Sequence, residues 1–278
     1  MIVNDILAQL TIRNNMNTAK HLEHKIEENI LKFSLDGFGK YGLLKVEEGA
    51  DRNLAEELLQ KHNLDGMVVK TFDNAIMQNL GEEVPEEIII TENDLKFAVN
   101  LHEANIGFNI DQKLCREISK DQSINKNVLN LFGDTGVYSV YAASVGALTT
   151  TVSKDPRVKR NFELNNLDLE TNEIWENDYY EYLKLAEETG TKFNLVILDL
   201  RQDLIKDLEF DFKNEHARLI RRLQQKLLTE PGVIMLITDI EGFVLDSYIR
   251  PGADKLTKKT LMPEYSDLKP HQSFVFYN

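Results

Sequence analysis

Apolar positions along the chain recur with two periods. In HLEHKIEENILKF, Leu22, Ile26, Ile30 and Phe33 are spaced three or four apart, which predicts an amphipathic helix. RNLAEELLQKHN predicts a second helix, with Asn63 near its end. GFGKYG is glycine punctuation, and LLKV and GMVVKT read as short strands. GEEVPEE (81–87) is charged, carries a proline and lacks apolar periodicity, so it reads as a linker. The pattern predicts a small α+β module over residues 1–86 and a second domain over 87–278.

The second domain opens with EIIITENDLKFAVNL, two β-rich runs flanking a turn, which predicts a hairpin. Strand and helix patterns then alternate. VLNLF, ALTTTVS, TNEIWEND, KFNLVILDL and VIMLITDI read as strands. VYSVYAASVG, DPRVKRNFELNN, YYEYLKLAEETG and a segment near 215–228 read as helices, the last closed by Pro231–Gly232. Such alternation predicts an α/β, Rossmann-like fold: a mostly parallel sheet, covered on both faces, with right-handed crossovers.

Composition narrows the class. The chain has 278 residues, enough for one large domain or two small ones. No apolar run is long enough to cross a membrane, and the N-terminus does not read as a signal peptide. The cytoplasm is the expected location. The single cysteine, Cys115, rules out an internal disulfide and a cysteine metal cage. HLEH offers His21 and His24 with no third ligand, so no metal is expected. The net charge of −14 means that any nucleic-acid surface must be concentrated. The basic candidates are KDPRVKR (154–160), RLIRRLQQK (218–226) and the scattered Arg250, Lys255, Lys258 and Lys259. In RLIRRLQQK the basic residues lie between Leu219, Leu223 and Leu227, which reads as a solvated helix face.

In a parallel sheet of this kind, ligands bind beyond the carboxyl ends of the strands. The first strand ends in Asn130-Leu-Phe-Gly-Asp-Thr-Gly136, where Gly133 and Gly136 permit a tight turn. The second ends at Ser153-Lys154-Asp155, where an acid would meet ribose hydroxyls; Ser153 holds that place and Asp155 follows two residues later. The third ends in Glu176-Asn177-Asp178, an edge suited to an adenine amino group. The fourth ends at Asp199-Leu200-Arg201-Gln202, and Asp199 is either a site acid or a capping acid.

From about residue 88 onward the chain resembles the class I S-adenosylmethionine-dependent methyltransferases of bacterial 23S ribosomal RNA, above all the guanine-methylating C-terminal half of the bifunctional enzyme. ENDLKFAVNL, IGFNIDQK, LNLFGDTGVYSVYAASVGALTTTV, RNFELNNL, FNLVILD, GVIMLITDIEGF and LTKKTLMPEY match family segments in order. The resemblance implies S-adenosylmethionine as cofactor and ribosomal RNA as partner, and it leaves the oligomeric state open. It implies that Phe108 and Asp111 approach the cofactor. It places Asn130, Phe132, Gly133, Thr135 and Gly136 at the methionine end, Asp178 at adenine, and Asp199 where acceptor and sulfonium meet. The resemblance also implies that residues 1–86 are a shortened form of the family's RNA-facing accessory region.

Five positions depart from the family pattern. Asp-Leu-Arg replaces Asp-Pro-Pro after the fourth strand, Ser153 stands at the ribose acid, Asp134 replaces a common Tyr, and Lys113 replaces Arg. Loss of the prolines predicts a less preorganised loop, and Asp134 predicts repulsion of the cofactor carboxylate. Cytosine-C5 methylation needs a loop cysteine, and Cys115 lies just after IGFNIDQK, so guanine is the expected base. The alternative is a catalytically degenerate fold acting as a binding or regulatory module. Protein or small-molecule acceptors form a broader option that would suit the acidic charge.

Overall fold

The structure is a computed structural model describing residues 17–27, 30–47, 52–205, 211–268 and 270–278. It divides into two compact units, 1–110 and 111–278. The first unit therefore takes in the hairpin and Phe108, beyond the linker at 81–87.

In the first unit, HLEHKIEENILKF is not a helix. Its described residues belong to β1 (Ala19–Glu27) and β2 (Ile30–Phe38), which pair antiparallel. The register slips between His21 and Glu23 and again between Lys25 and Ile26. Each slip breaks the alternation of faces, so the apolar spacing imitates a helix. The two histidines are thus on a strand. His21 Nε2 and His24 Nδ1 lie 3.0 Å apart, and His21 Nδ1 is 2.8 Å from Asp36 Oδ1. β3 (Tyr41–Val46) and β4 (Gly66–Thr71) are parallel, joined through α1 (Arg52–Lys61), and β5 (Ile76–Gly81) closes the sheet in the order β1-β2-β3-β4-β5. Leu35, Leu44, Leu58, Met67 and Val69 fill its core. β6 (Ile88–Glu92) and β7 (Leu95–Val99) form the expected hairpin, with Asn93 and Asp94 both at positive φ in its two-residue turn.

The second unit is a seven-stranded sheet. α2 (Lys113–Ser123) precedes β8 (Asn127–Asn130). Then follow α3 (Val137–Ala143), β9 (Leu148–Val152), α4 (Arg157–Leu164), β10 (Glu173–Trp175), α5 (Tyr179–Thr189) and β11 (Phe193–Leu200). α6 (Gln202–Ile205), α7 (Phe212–Lys226), β12 (Leu228–Thr238), β13 (Ala253–Lys255), α8 (Thr257–Thr260) and β14 (Gln272–Tyr277) complete it. The order is β10-β9-β8-β11-β12-β14-β13. β8 to β12 are parallel, and β14 runs antiparallel to β12.

Successive residues of the central strands feed two cores, as period-2 geometry requires. Val196 and Leu198 pack with α5 and α7 side chains such as Leu183 and Leu223. Leu195 and Ile197 pack on the other face with Cys115, Tyr138 and Ala142. Pro231–Gly232 do not end the preceding helix. They sit inside β12, where the pairing jumps from Phe193↔Leu228 to Leu195↔Val233, the kind of irregularity that tolerates proline in a sheet. No helix among the described residues is long and apolar enough to cross a membrane.

Candidate active site

The chain leaves β8 toward β9 on one side, and β11 lies on the other side. The carboxyl ends of β8 and β11 therefore flank the switch in strand order, where such sheets bind ligands. Asn130 pairs with Ile197 in register, which brings Asn130 and Asp199 to that crevice.

The β8–α3 turn is built from small residues and local hydrogen bonds. Gly133 N donates to Val152 O at 2.9 Å and Gly136 N to Gly133 O at 2.7 Å. A Cβ on Gly133 would overlap Thr151 Cγ2. Gly136 has φ +79° and Asp134 φ +47°, so the chain reverses through left-handed positions. Asn130 is buried; its Nδ2 donates to Ser139 Oγ at 3.0 Å, and its Oδ1 has no hydrogen-bond partner among the described residues. Thr135 is buried, and its carbonyl accepts from Asn161 Nδ2 at 2.8 Å. Ser153 Oγ donates to Asp134 O and accepts from Asp155 N. Asp155 is engaged by Arg157, with Nη2 at 2.6 Å from Oδ2. Phe132 packs against Tyr179 with ring centroids 5.1 Å apart.

Asp199 is buried, and Gln112 Nε2 donates to its Oδ1 at 2.9 Å. Gln112 Oε1 accepts in turn from Tyr138 OH at 3.1 Å. Burial pushes the Asp199 carboxyl up to about 7, past the opposing pull of Arg201 and Gln112; Asp134 and Asp239 add to the rise.

Arg201 changes the reading of two departures at once. Its Nη2 lies 2.6 Å from Asp134 Oδ2, and its Nε lies 3.9 Å from Asp199 Oδ2. The Asp134 charge is therefore offset by a buried guanidinium, and the expected repulsion of a cofactor carboxylate is corrected accordingly. The start of the loop is also tied elsewhere, because Gln202 N donates to Asp239 Oδ1 at 2.7 Å. Polar ties hold this loop at its origin where prolines were expected to stiffen it.

The remaining expected residues have partners of their own. Phe108 packs on Phe97 in the first unit, with centroids 5.2 Å apart. Asp178 is exposed and caps α5, accepting from Tyr180 N at 2.7 Å. Asp111 Oδ2 lies 2.8 Å from His271 Nδ1. Burial lowers the His271 value, but the Asp111 hydrogen bond and Cys115 outweigh it and hold the imidazole at about 10. Cys115 Sγ is 3.6 Å from His271 Nε2, and the thiol is wholly buried.

Gln112 and Arg201 escaped the sequence reading as site residues. Gln112 sits beside Asp111 in IGFNIDQK, and Arg201 directly follows the Asp199-Leu200 strand end. Their positions were visible, but their partners, 87 and 67 residues away in sequence, were not.

The profile of the S-adenosylmethionine-dependent methyltransferase family matches residues 67–272. The chain belongs to this family. Its cofactor is S-adenosylmethionine. Over 199 residues, 67% of its length, the chain is 31% identical to the ribosomal RNA large subunit methyltransferase K of Neisseria meningitidis serogroup B. It spans 56% of that relative. Among solved structures it is similar to an S-adenosylmethionine-dependent methyltransferase of Streptococcus mutans, with TM-score 0.80, 21% identity, and coverage of 99% of this chain and 78% of the other. A methyltransferase structure complexed with S-adenosylhomocysteine gives TM-score 0.78 at 22% identity, covering 99% of this chain and 79% of that one. These two likenesses are of fold.

The residues at the switch point fit the cofactor. Gly133 and Gly136 keep the turn bare, and the buried Asn130 Oδ1 keeps an acceptor uncommitted among the described residues.

Proposed function

We propose that this chain methylates a guanine base of large-subunit ribosomal RNA. The carrying observation is Asp199, buried at the switch point and hydrogen-bonded by Gln112, with the Arg201 guanidinium 3.9 Å away. The name of the Neisseria relative supports the RNA class. Because the chain spans about half of that relative, the acceptor is inferred from the shared half alone. The buried Cys115 supports guanine over cytosine-C5 chemistry, which requires an accessible thiolate nucleophile.

S-adenosylmethionine supplies a methyl group activated by its sulfonium. Asn130, Phe132, Gly133, Thr135 and Gly136 line its methionine end in this reading. In the same reading Ser153, Asp155 and Asp178 lie toward its ribose and adenine, and Asp111 approaches from the preceding segment. The protein's own contribution is alignment and exclusion of water. Asp199 accepts a hydrogen bond from the exocyclic amino group and takes its proton as the nitrogen is alkylated. Gln112 holds the carboxyl that does this, and the Arg201 charge lies beside it.

The test is transfer of labelled methyl to unmodified 23S ribosomal RNA, followed by nucleoside analysis. Label in guanosine, lost in Asp199→Asn, is expected. An Asp199→Ala protein with unchanged turnover would show that the site is misplaced. Asp199 must be ionised to accept the proton, so kcat should rise as pH passes through about 7. The replacement of Asp-Pro-Pro by Asp-Leu-Arg favours a second reading, a cofactor-binding module without turnover. Tight cofactor binding with no transfer to any RNA would select it.

A further inference from the structure

The net charge of −14 poses a problem for any protein that grips RNA, and one surface answers it. The outer face of α7 lines a groove of about 590 Å³. Arg218, Arg221, Arg222 and Lys226 contribute four cations, against the carboxylates of Glu187 and Asp246. Glu187 is already taken, because Arg222 Nε lies 2.6 Å from its Oε1. Among the described residues, no carboxylate is paired with Arg218, Arg221 or Lys226.

Basic residues on an exposed helix need no partner to explain them. What distinguishes this strip is the convergence of two outward-facing tyrosines from other elements. Tyr180, at the start of α5, is 58% exposed, and Tyr248, in the segment after β12, is 78% exposed. Each has a guanidinium over its ring: Arg222 at 5.0 Å from the Tyr180 centroid and Arg221 at 5.5 Å from that of Tyr248. The Tyr248 segment is fixed to the helix from beneath. Asp246 N donates to His216 Nε2 at 2.9 Å, and His216 Nδ1 donates to Phe212 O at 2.9 Å. Phe243 stacks on Phe212 at 5.2 Å. Two arginine–tyrosine contacts, Tyr248 lining the groove and Tyr180 reached from it through Arg222, thus stand beside further cations on a held framework.

We infer that this groove binds single-stranded RNA outside the active site, with arginines on phosphates and the tyrosine–arginine planes under bases. The chemistry is that of sequence-tolerant single-strand binding: cations follow the backbone, and flat side chains stack on whatever base is present. The inference rests on RNA as the acceptor and adds where a flanking strand is held. α7 begins shortly after the β11 end that carries Asp199 and runs away from it. A strand in the groove would therefore extend from the active edge along the flank of the unit.

The test is fluorescence anisotropy of the full chain with a fluorescein-labelled, unstructured RNA of mixed sequence, titrated over a range of salt. The double variant Arg218→Ala/Arg221→Ala should bind at least about 10-fold more weakly at low salt. Its log K against log salt slope should be shallower by about 1.4, two phosphate contacts at about 0.7 each. Tyr248→Ala should weaken binding about 5-fold or more, through lost stacking, with the slope unchanged. Alanine suits an exposed helix, so calorimetric S-adenosylmethionine binding should match wild type in the double variant. Wild-type affinity and slope in the variants would overturn the inference, as would equal competition by polyglutamate, which would assign the groove to an acidic protein. Groove variants that methylate ribosomal RNA with wild-type kcat/KM would remove the groove and leave the proposed activity standing. Groove-dependent RNA binding with no methyl transfer would do the reverse.

Discussion

Arg201 Nη2 and Asp134 Oδ2 meet at 2.6 Å, both side chains largely buried. Each is a departure from the family pattern, and each compensates the other across 2.6 Å. Removing one partner leaves a buried charge and costs about 3–5 kcal/mol, whereas removing both costs far less. Urea unfolding of Arg201→Met, Asp134→Asn and the double variant should show this: both singles destabilised and the double partly restored. Additive losses would mean that the pair is not coupled. For the same reason Asp134→Tyr, which removes the 2.6 Å partner of Arg201, should weaken S-adenosylmethionine binding in calorimetry. Asp199 and His271 set the pH response. The Asp199 carboxyl is raised from an ordinary 3.8 to about 7, so the folded state holds a proton that the unfolded chain has released. Its contribution to stability therefore falls as pH climbs from about 4 to about 7. His271, raised from 6.5 to about 10, contributes fully below 6.5 and loses that contribution as pH rises through about 10. Thermal unfolding across pH should lose the acid-side slope in Asp199→Asn and the alkaline-side slope in His271→Gln.

At the scale of elements, the β8–α3 turn tolerates little change. Gly133 lies where a side chain would meet Thr151 of β9, and its amide is spent on Val152 O. Gly133→Ala must shift the turn away from the neighbouring strand. Calorimetry should show cofactor binding weakened by at least about 10-fold, in keeping with the sensitivity of aligned sites to ångström-scale displacement. Unchanged affinity would place the cofactor elsewhere. The loop after β11 shows how an element can be held without its usual residues. Arg201–Asp134 and Gln202–Asp239 tie it to the segments just beyond β8 and β12, the strands on either side of β11.

At the scale of the whole molecule, the two compact units divide at 110/111, and the switch-point residues Asn130, Asp134, Asp199 and Arg201 belong to the second. A ligand that binds the folded chain and not the unfolded one stabilises it by mass action. S-adenosylmethionine at 100 times its Kd should add about 2.7 kcal/mol. Differential scanning fluorimetry with increasing cofactor should show a rising Tm, and a flat Tm would mean that the pocket no longer binds.

Hydrophobic pattern alone determined the α/β architecture of the second unit. Buried parallel strands such as Phe193–Leu200 and amphipathic helices such as Phe212–Lys226 have periods that local sequence expresses directly. It likewise located the glycine turn and Asp199 at strand ends. It misread His21–Phe33, because register slips between paired strands alter apolar spacing without any local signature. It could not show that Asp178 caps a helix, that Asp155 is bound by Arg157, or that Asp111 is held by His271. Nor could it show that Asp134 and Arg201 neutralise each other. Those facts depend on which side chains meet across long stretches of chain, and only the closed sheet brings them within hydrogen-bonding distance.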